Sequence, residues 1–251
     1  MAFDLASIKK GKRITAPRMF LYSTHGIGKS TFGASAPNPI FICAEDGIDG
    51  LDTSYFPMVK SSQDVLEALS TLYTQEHDYQ TVVLDTADWL ESIITKEVEA
   101  IHDAKDLAYG KGAMIVAERW REIIEGFNAI RNDRNMTTII LGHCEIKRFD
   151  SPEVEPFDRY QPKLQGRSSA LIQEWADVVM FANFRTLVKK EDVGFNKSVS
   201  RGMTTGERLL YTVETPAFLA KNRYGLPPSL PLSWSSFADA MTKSAASAVA
   251  A

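Results

Sequence analysis

The stretch YSTHGIGKST, residues 22–31, sets two glycines beside a lysine and a run of hydroxyls. A glycine-rich turn lets backbone N–H groups converge, and a helix beginning at its end adds partial positive charge to the same point. That arrangement grips a polyphosphate. The candidate set is Ser23, Thr24, His25, Gly26, Ile27, Gly28, Lys29, Ser30 and Thr31. In it the backbone cradles phosphate, Lys29 reaches the terminal phosphates, and Ser30 holds Mg²⁺. Ser23 stands where the pattern G-x-x-x-x-G-K-[S/T] starts with glycine. That position turns the chain out of a strand, which serine can do, so no phosphate ligand is lost. The alternative is an ordinary glycine-rich turn that ends in Lys-Ser. The order strand, loop, GKS, helix speaks for the phosphate reading. Further on, YQTVVLDTADW delivers Asp85 to the carboxyl end of an apolar run over 81–84. An aspartate there can hold the water shell of Mg²⁺.

These residues need a scaffold that brings strand ends together. Continuous apolar runs at 18–23, 39–45, 81–85, 137–143 and 176–182 predict strands covered on both faces, as in a parallel sheet. Apolar residues at helical spacing predict helices over 62–74, 88–102 and 113–131. YGKG at 109–112 predicts a turn. Residues 143–167 form a long polar connection, of the kind that is functional or mobile. A second exposed excursion over 188–207 has the look of a hairpin. RLLYTVE and AFLAKNR read as late strands, and TKSAASAVAA as a fraying end. The expected fold is α/β, with a mainly parallel central sheet flanked by helices and a late antiparallel edge. Residues 1–17 form an arm, 18–240 the core and 241–251 a flexible tail.

Composition narrows the function classes. A formal net charge of −4 excludes a protein that is basic all over, so any nucleic-acid contact must be a local patch. Cys43 and Cys144 have no metal-ligand spacing, and two cysteines do not make a disulfide scaffold in a chain of 251 residues. No apolar run approaches the roughly 20 residues that span a bilayer, and the N-terminus lacks the order of a signal peptide. The expected setting is cytoplasmic, with no membrane partner.

The segment IFICAEDGIDGL, residues 40–51, resembles the part of RecA-type recombinases where a strand ends in Asp-Ala-Glu. The resemblance covers most of 18–232 and implies a RecA-like P-loop ATPase. Only Ala-Glu carries over, because Cys43 replaces the aspartate. The resemblance makes Glu45 the carboxylate that activates water; a solvated turn residue capping the strand is the alternative. It places His143, in TTIILGHCEIKRFD, where a polar residue senses the γ-phosphate; a buried structural histidine is the alternative. The basic residues Lys147, Arg148, Arg159, Lys163 and Arg167, with Phe149, Phe157 and Tyr160, resemble a flexible DNA-contacting loop. A plain solvated loop is the alternative there. FLAKNRYGLP is similar to a Lys-x-Arg element, in which Lys221 and Arg223 would reach a neighbouring subunit's γ-phosphate. Compact chains of this kind resemble phage ATP-binding proteins of single-strand annealing and recombination. The resemblance implies ATP and Mg²⁺, single-stranded DNA, a homo-oligomer (ring or filament) and a single-strand-binding protein as partner. Rival functions are a helicase-accessory or loader motor, and an ATP-gated scaffold that hydrolyses slowly.

Overall fold

The computed structural model describes residues 4–8, 10, 15–192 and 198–249. In chain order the strands are β1 (Arg18–Ser23), β2 (Pro39–Cys43), β3 (Ser54–Tyr55), β4 (Thr81–Asp85), β5 (Thr137–Phe149), β6 (Phe157–Pro162), β7 (Val178–Asp192), β8 (Ser198–Tyr211), β9 (Lys221–Asn222) and β10 (Ser229–Pro231). The helices are α1 (Lys29–Ala34), α2 (Ser62–Thr74), α3 (Ala87–Ile101), α4 (Lys111–Arg134), α5 (Gly166–Trp175) and α6 (Trp234–Val249). One sheet runs in the order β10-β8-β7-β1-β5-β4-β2-β3. From β3 to β7 every pairing is parallel, while β8, β9 and β10 join antiparallel. The expected fold class is the observed one.

Alternation along the strands assigns the two layers. Phe20, Tyr22, Ile42 and Leu84 face helices α2 to α5, which contribute Leu69, Ile94, Trp120 and Ile172. Met19, Leu21, Phe41 and Val83 face the opposite side, against Phe32 of α1 and Phe237 of α6. Both faces are covered, which is why these strands read as unbroken apolar runs. The phosphate loop leaves the carboxyl end of the central strand β1, between β5 and β7.

Four expectations need correction. Residues 143–167 are not a loop: β5 continues to Phe149 and pairs antiparallel with β6. Phe149 and Phe157 face each other across that hairpin at 5.5 Å, and aromatic cross-strand pairs favour such pairing. YGKG is a turn only as far as Gly110, after which Lys111 begins α4. In AFLAKNR only Lys221–Asn222 is strand, because Thr215 and Phe218 exchange backbone hydrogen bonds and turn Phe218 into the aromatic cluster of Phe181 and Tyr211. The supposed tail is the second half of α6 as far as Val249. Its alanines are the best helix formers, and the Ser244 hydroxyl donates to the Tyr224 carbonyl. The 188–207 hairpin is present in the pairing of β7 with β8, although 193–197 lie outside the described residues.

At the opposite end of the strands from the loop, Asp177 organises a cluster of arginines. Its carboxylate accepts from Arg18 Nη2 at 2.7 Å and Nε at 3.1 Å, with Arg131 at 3.5 Å and Arg223 at 3.4 Å. Burial alone would raise the Asp177 pKa, but the Arg18 hydrogen bonds and charge reverse this and hold it below the usual value. A depressed folded pKa contributes stability above the unfolded value of about 3.9, and that stability is lost as pH falls through the lower folded value. Asp177→Asn is expected to cost about 2–3 kcal/mol at neutral pH. Thermal melts from pH 7 to pH 3 should show the gap to wild type closing below about pH 4; a constant gap would contradict the assignment.

Candidate nucleotide site

The loop is built on two left-handed glycines. Gly26 has φ 71° and Gly28 φ 109°, backbone geometry that L side chains resist. Gly28 caps α1, and its carbonyl accepts from Phe32 N–H at 3.0 Å. Ile27 anchors the loop by burying its side chain completely. The Ser23 hydroxyl donates to the Thr24 carbonyl at 2.8 Å, so it closes the turn as the missing glycine would by conformation.

Lys29 is 94% shielded, and among the described residues its ammonium reaches only the Thr24 carbonyl, at 3.4 Å. Burial lowers its pKa, and the charges of Asp85, Glu45 and Asp88 work against that shift. Ser30 Oγ donates to Asp85 Oδ2 at 2.6 Å. Asp85 is buried at the end of β4, and among the described residues its Oδ1 has no hydrogen-bond partner. Burial raises its pKa, opposed by the Ser30 bond and Lys29. A buried carboxylate oxygen without a partner, beside a serine hydroxyl, fits a hard oxygen-seeking cation. Among the described residues no group of three or more His, Cys, Asp or Glu could hold a metal alone. Two protein oxygens suit Mg²⁺, which takes the remainder from water and phosphate. When bound it neutralises phosphate charge.

Glu45 follows β2, and its amide and that of Ala44 donate to the Asp85 carbonyl at 3.3 and 2.7 Å. This ties the Glu45 backbone to β4, the strand that carries Asp85. Its Oε1 lies 4.0 Å from His143 Nε2, and burial raises its pKa. Cys43, where the resemblance has an aspartate, has its thiol pushed up to about 12 by burial and stays neutral beside Asp85. His143 is held by Asp88, which accepts from the His143 amide at 3.0 Å and lies 3.0 Å from Nδ1. Burial alone would raise Asp88, but these hydrogen bonds hold its pKa low. With the ring proton on Nδ1, a neutral His143 presents a lone pair at Nε2. The His25 ring stacks on His143 at 4.0 Å between centroids, and the His143 charge lowers the His25 pKa. Glu45, His143, Lys29, Ser30 and Asp85 therefore share one site.

The remaining candidates divide. Lys221 donates to the carbonyls of Gln173, Glu174 and Ala176 at 2.8, 2.9 and 2.7 Å. It caps the C-terminus of α5 and is not a free cation. β9 pairs with Val178 and Val179 at the start of β7, so Lys221 and Arg223 sit at the opposite strand ends from the chain's own phosphate loop. Arg223 is half-exposed. Arg159 is buried, bonds Glu214 at 2.8 Å and covers the Phe149 ring at 4.8 Å, so it holds the hairpin together and does not face solvent. Lys147, paired with Glu145 at 2.8 Å, is exposed, as are Arg148, Lys163 and Arg167. Two neighbours were missed from sequence. Asp88 had a signal, being three residues beyond Asp85 in the first turn of a helix. Arg208, whose Nη1 donates to the Ile27 carbonyl at 3.1 Å, is distant in sequence and had none.

A family model described as an AAA domain matches residues 15–224. The chain belongs to this AAA-domain family. The match spans the phosphate loop, Glu45, Asp85 and His143. Among solved structures, that of the RadB recombinase is similar, with a TM-score of 0.43 and 14% identity over 78% of this chain and 81% of that one. No curated protein matches. Among the described residues no helix is long and apolar enough to cross a membrane.

Proposed function

We propose that the protein is a Mg²⁺-dependent ATP hydrolase whose turnover is coupled to single-stranded DNA, serving recombination or single-strand annealing, as in a phage. The Ser30–Asp85 pair at 2.6 Å, with Asp85 Oδ1 left unbonded, carries the nucleotide half of this reading. Lys29 binds the β- and γ-phosphates, Glu45 orients the attacking water, and His143 responds to the γ-phosphate.

Continuity of β5 supports the DNA half. The strand passes from His143 directly into the hairpin that exposes Lys147 and Arg148, and Lys163 N–H returns to the His143 carbonyl at 2.8 Å. Exposed Ile146 immediately precedes the two cations on β5. Basic residues neutralise phosphate and release counterions. The function also calls for self-assembly, since Arg223 could serve only a neighbour's site.

Hydrolysis assays with and without single-stranded DNA, run beside a mass measurement, test the proposal. Turnover should rise on adding DNA. Changing Lys147, Arg148, Lys163 and Arg167 together to alanine should remove that rise and flatten the salt dependence of binding by about four counterions. Unchanged DNA binding in that variant would clear the hairpin of the role. Strand separation would point to a motor, and nucleotide binding without turnover to a gated scaffold. A monomer mass during turnover would exclude the oligomer and Arg223's part in it.

A further inference from the structure

We propose that Arg208 is a nucleotide contact supplied by β8 to the nucleoside end of the bound molecule, at its α-phosphate. This rests on reading the loop as a nucleotide site. Arg208 pairs in register with Phe184, two strands away from the loop, and its side chain crosses back to the loop. Nη1 reaches the Ile27 carbonyl at 3.1 Å and lies 2.9 Å from the point where a Cβ on Gly28 would stand. The Thr31 hydroxyl is 4.0 Å from the same point. Among the described residues, that bond to Ile27 is the guanidinium's one hydrogen bond, and it has no carboxylate partner. The adjacent Glu207 pairs with Arg185 at 3.1 Å.

The sheet gives the nucleotide a direction. Asp85 on β4 and Glu45 after β2 lie to one side of β1, so the γ-phosphate and its water point that way. β8 lies on the other side, where the α-phosphate and ribose must then extend. An exposed guanidinium with four unengaged N–H donors, held against the loop that carries Lys29, suits an anion seated on that loop. Such a contact is the same for ATP and ADP, so it favours binding and not the chemical step.

Calorimetric titrations of MgADP, with inorganic pyrophosphate as competitor, provide the test in wild type, Arg208→Ala and Arg208→Gln. Glutamine keeps an N–H for the Ile27 carbonyl but removes the charge, and carries the comparison should the alanine variant not fold. Both variants should bind ADP about tenfold more weakly, with pyrophosphate affinity within about twofold of wild type and KM raised at nearly constant kcat. Equal weakening for both ligands would make Arg208 a brace of the loop, and unchanged ADP affinity would exclude the contact; either overturns the proposal. Failure of wild type to bind ADP would instead remove the nucleotide reading beneath it.

Discussion

Lys29→Ala is expected to reduce ATP and ADP affinity by about 100-fold or more, with no loss of thermal stability in the absence of nucleotide. Charge-assisted hydrogen bonds contribute about 1.5–3 kcal/mol each, and the lysine is placed to offer several to the phosphates. In the unliganded fold the same ammonium is buried against one carbonyl at 3.4 Å, a long contact for a desolvated cation. Removing it relieves that cost. Calorimetry with MgATP and a thermal melt of the apo protein separate the two effects. A variant that binds nucleotide normally would overturn the assignment of the loop.

Glu45→Gln is expected to lower kcat by about a thousandfold while ATP affinity stays within about threefold. The glutamine keeps the shape and the backbone bonds to Asp85 but cannot accept a proton from water. Burial beside Asp85 and Asp88 already lifts the Glu45 pKa, which makes it a better base. Single-turnover hydrolysis next to an equilibrium binding measurement reads the split. Wild-type turnover in the variant would move the base to another residue, His143 first, since its Nε2 lies 4.0 Å from the same carboxylate.

Legibility in the sequence followed local physics. Strands β1 and β4 were readable because both faces are buried, and α2 because its apolar residues recur at helical spacing. The phosphate loop and Asp85 were readable as short motifs. The outer half of β5 was not, because it leaves the double-sided core and turns polar, and its partner strand is specified by side chains that meet only after folding. Lys221 shows the reverse failure: a two-residue spacing suggested phosphate chemistry, while the carbonyls that engage it come from α5, more than forty positions earlier. Arg208 and Ile27 are 181 residues apart, beyond any local pattern.

The unbroken course of β5 has a mechanical consequence. From His143 to Phe149 the strand extends about 20 Å past the nucleotide site, at roughly 3.3 Å per residue. Stiffened by β6, it behaves as a lever with its fulcrum at the histidine. A tilt of about 5° there would sweep the far end by about 2 Å over that length. On the DNA-coupled reading proposed above, nucleic acid lying across the tip would register a phosphate's arrival or departure as a displacement comparable to a hydrogen-bond length.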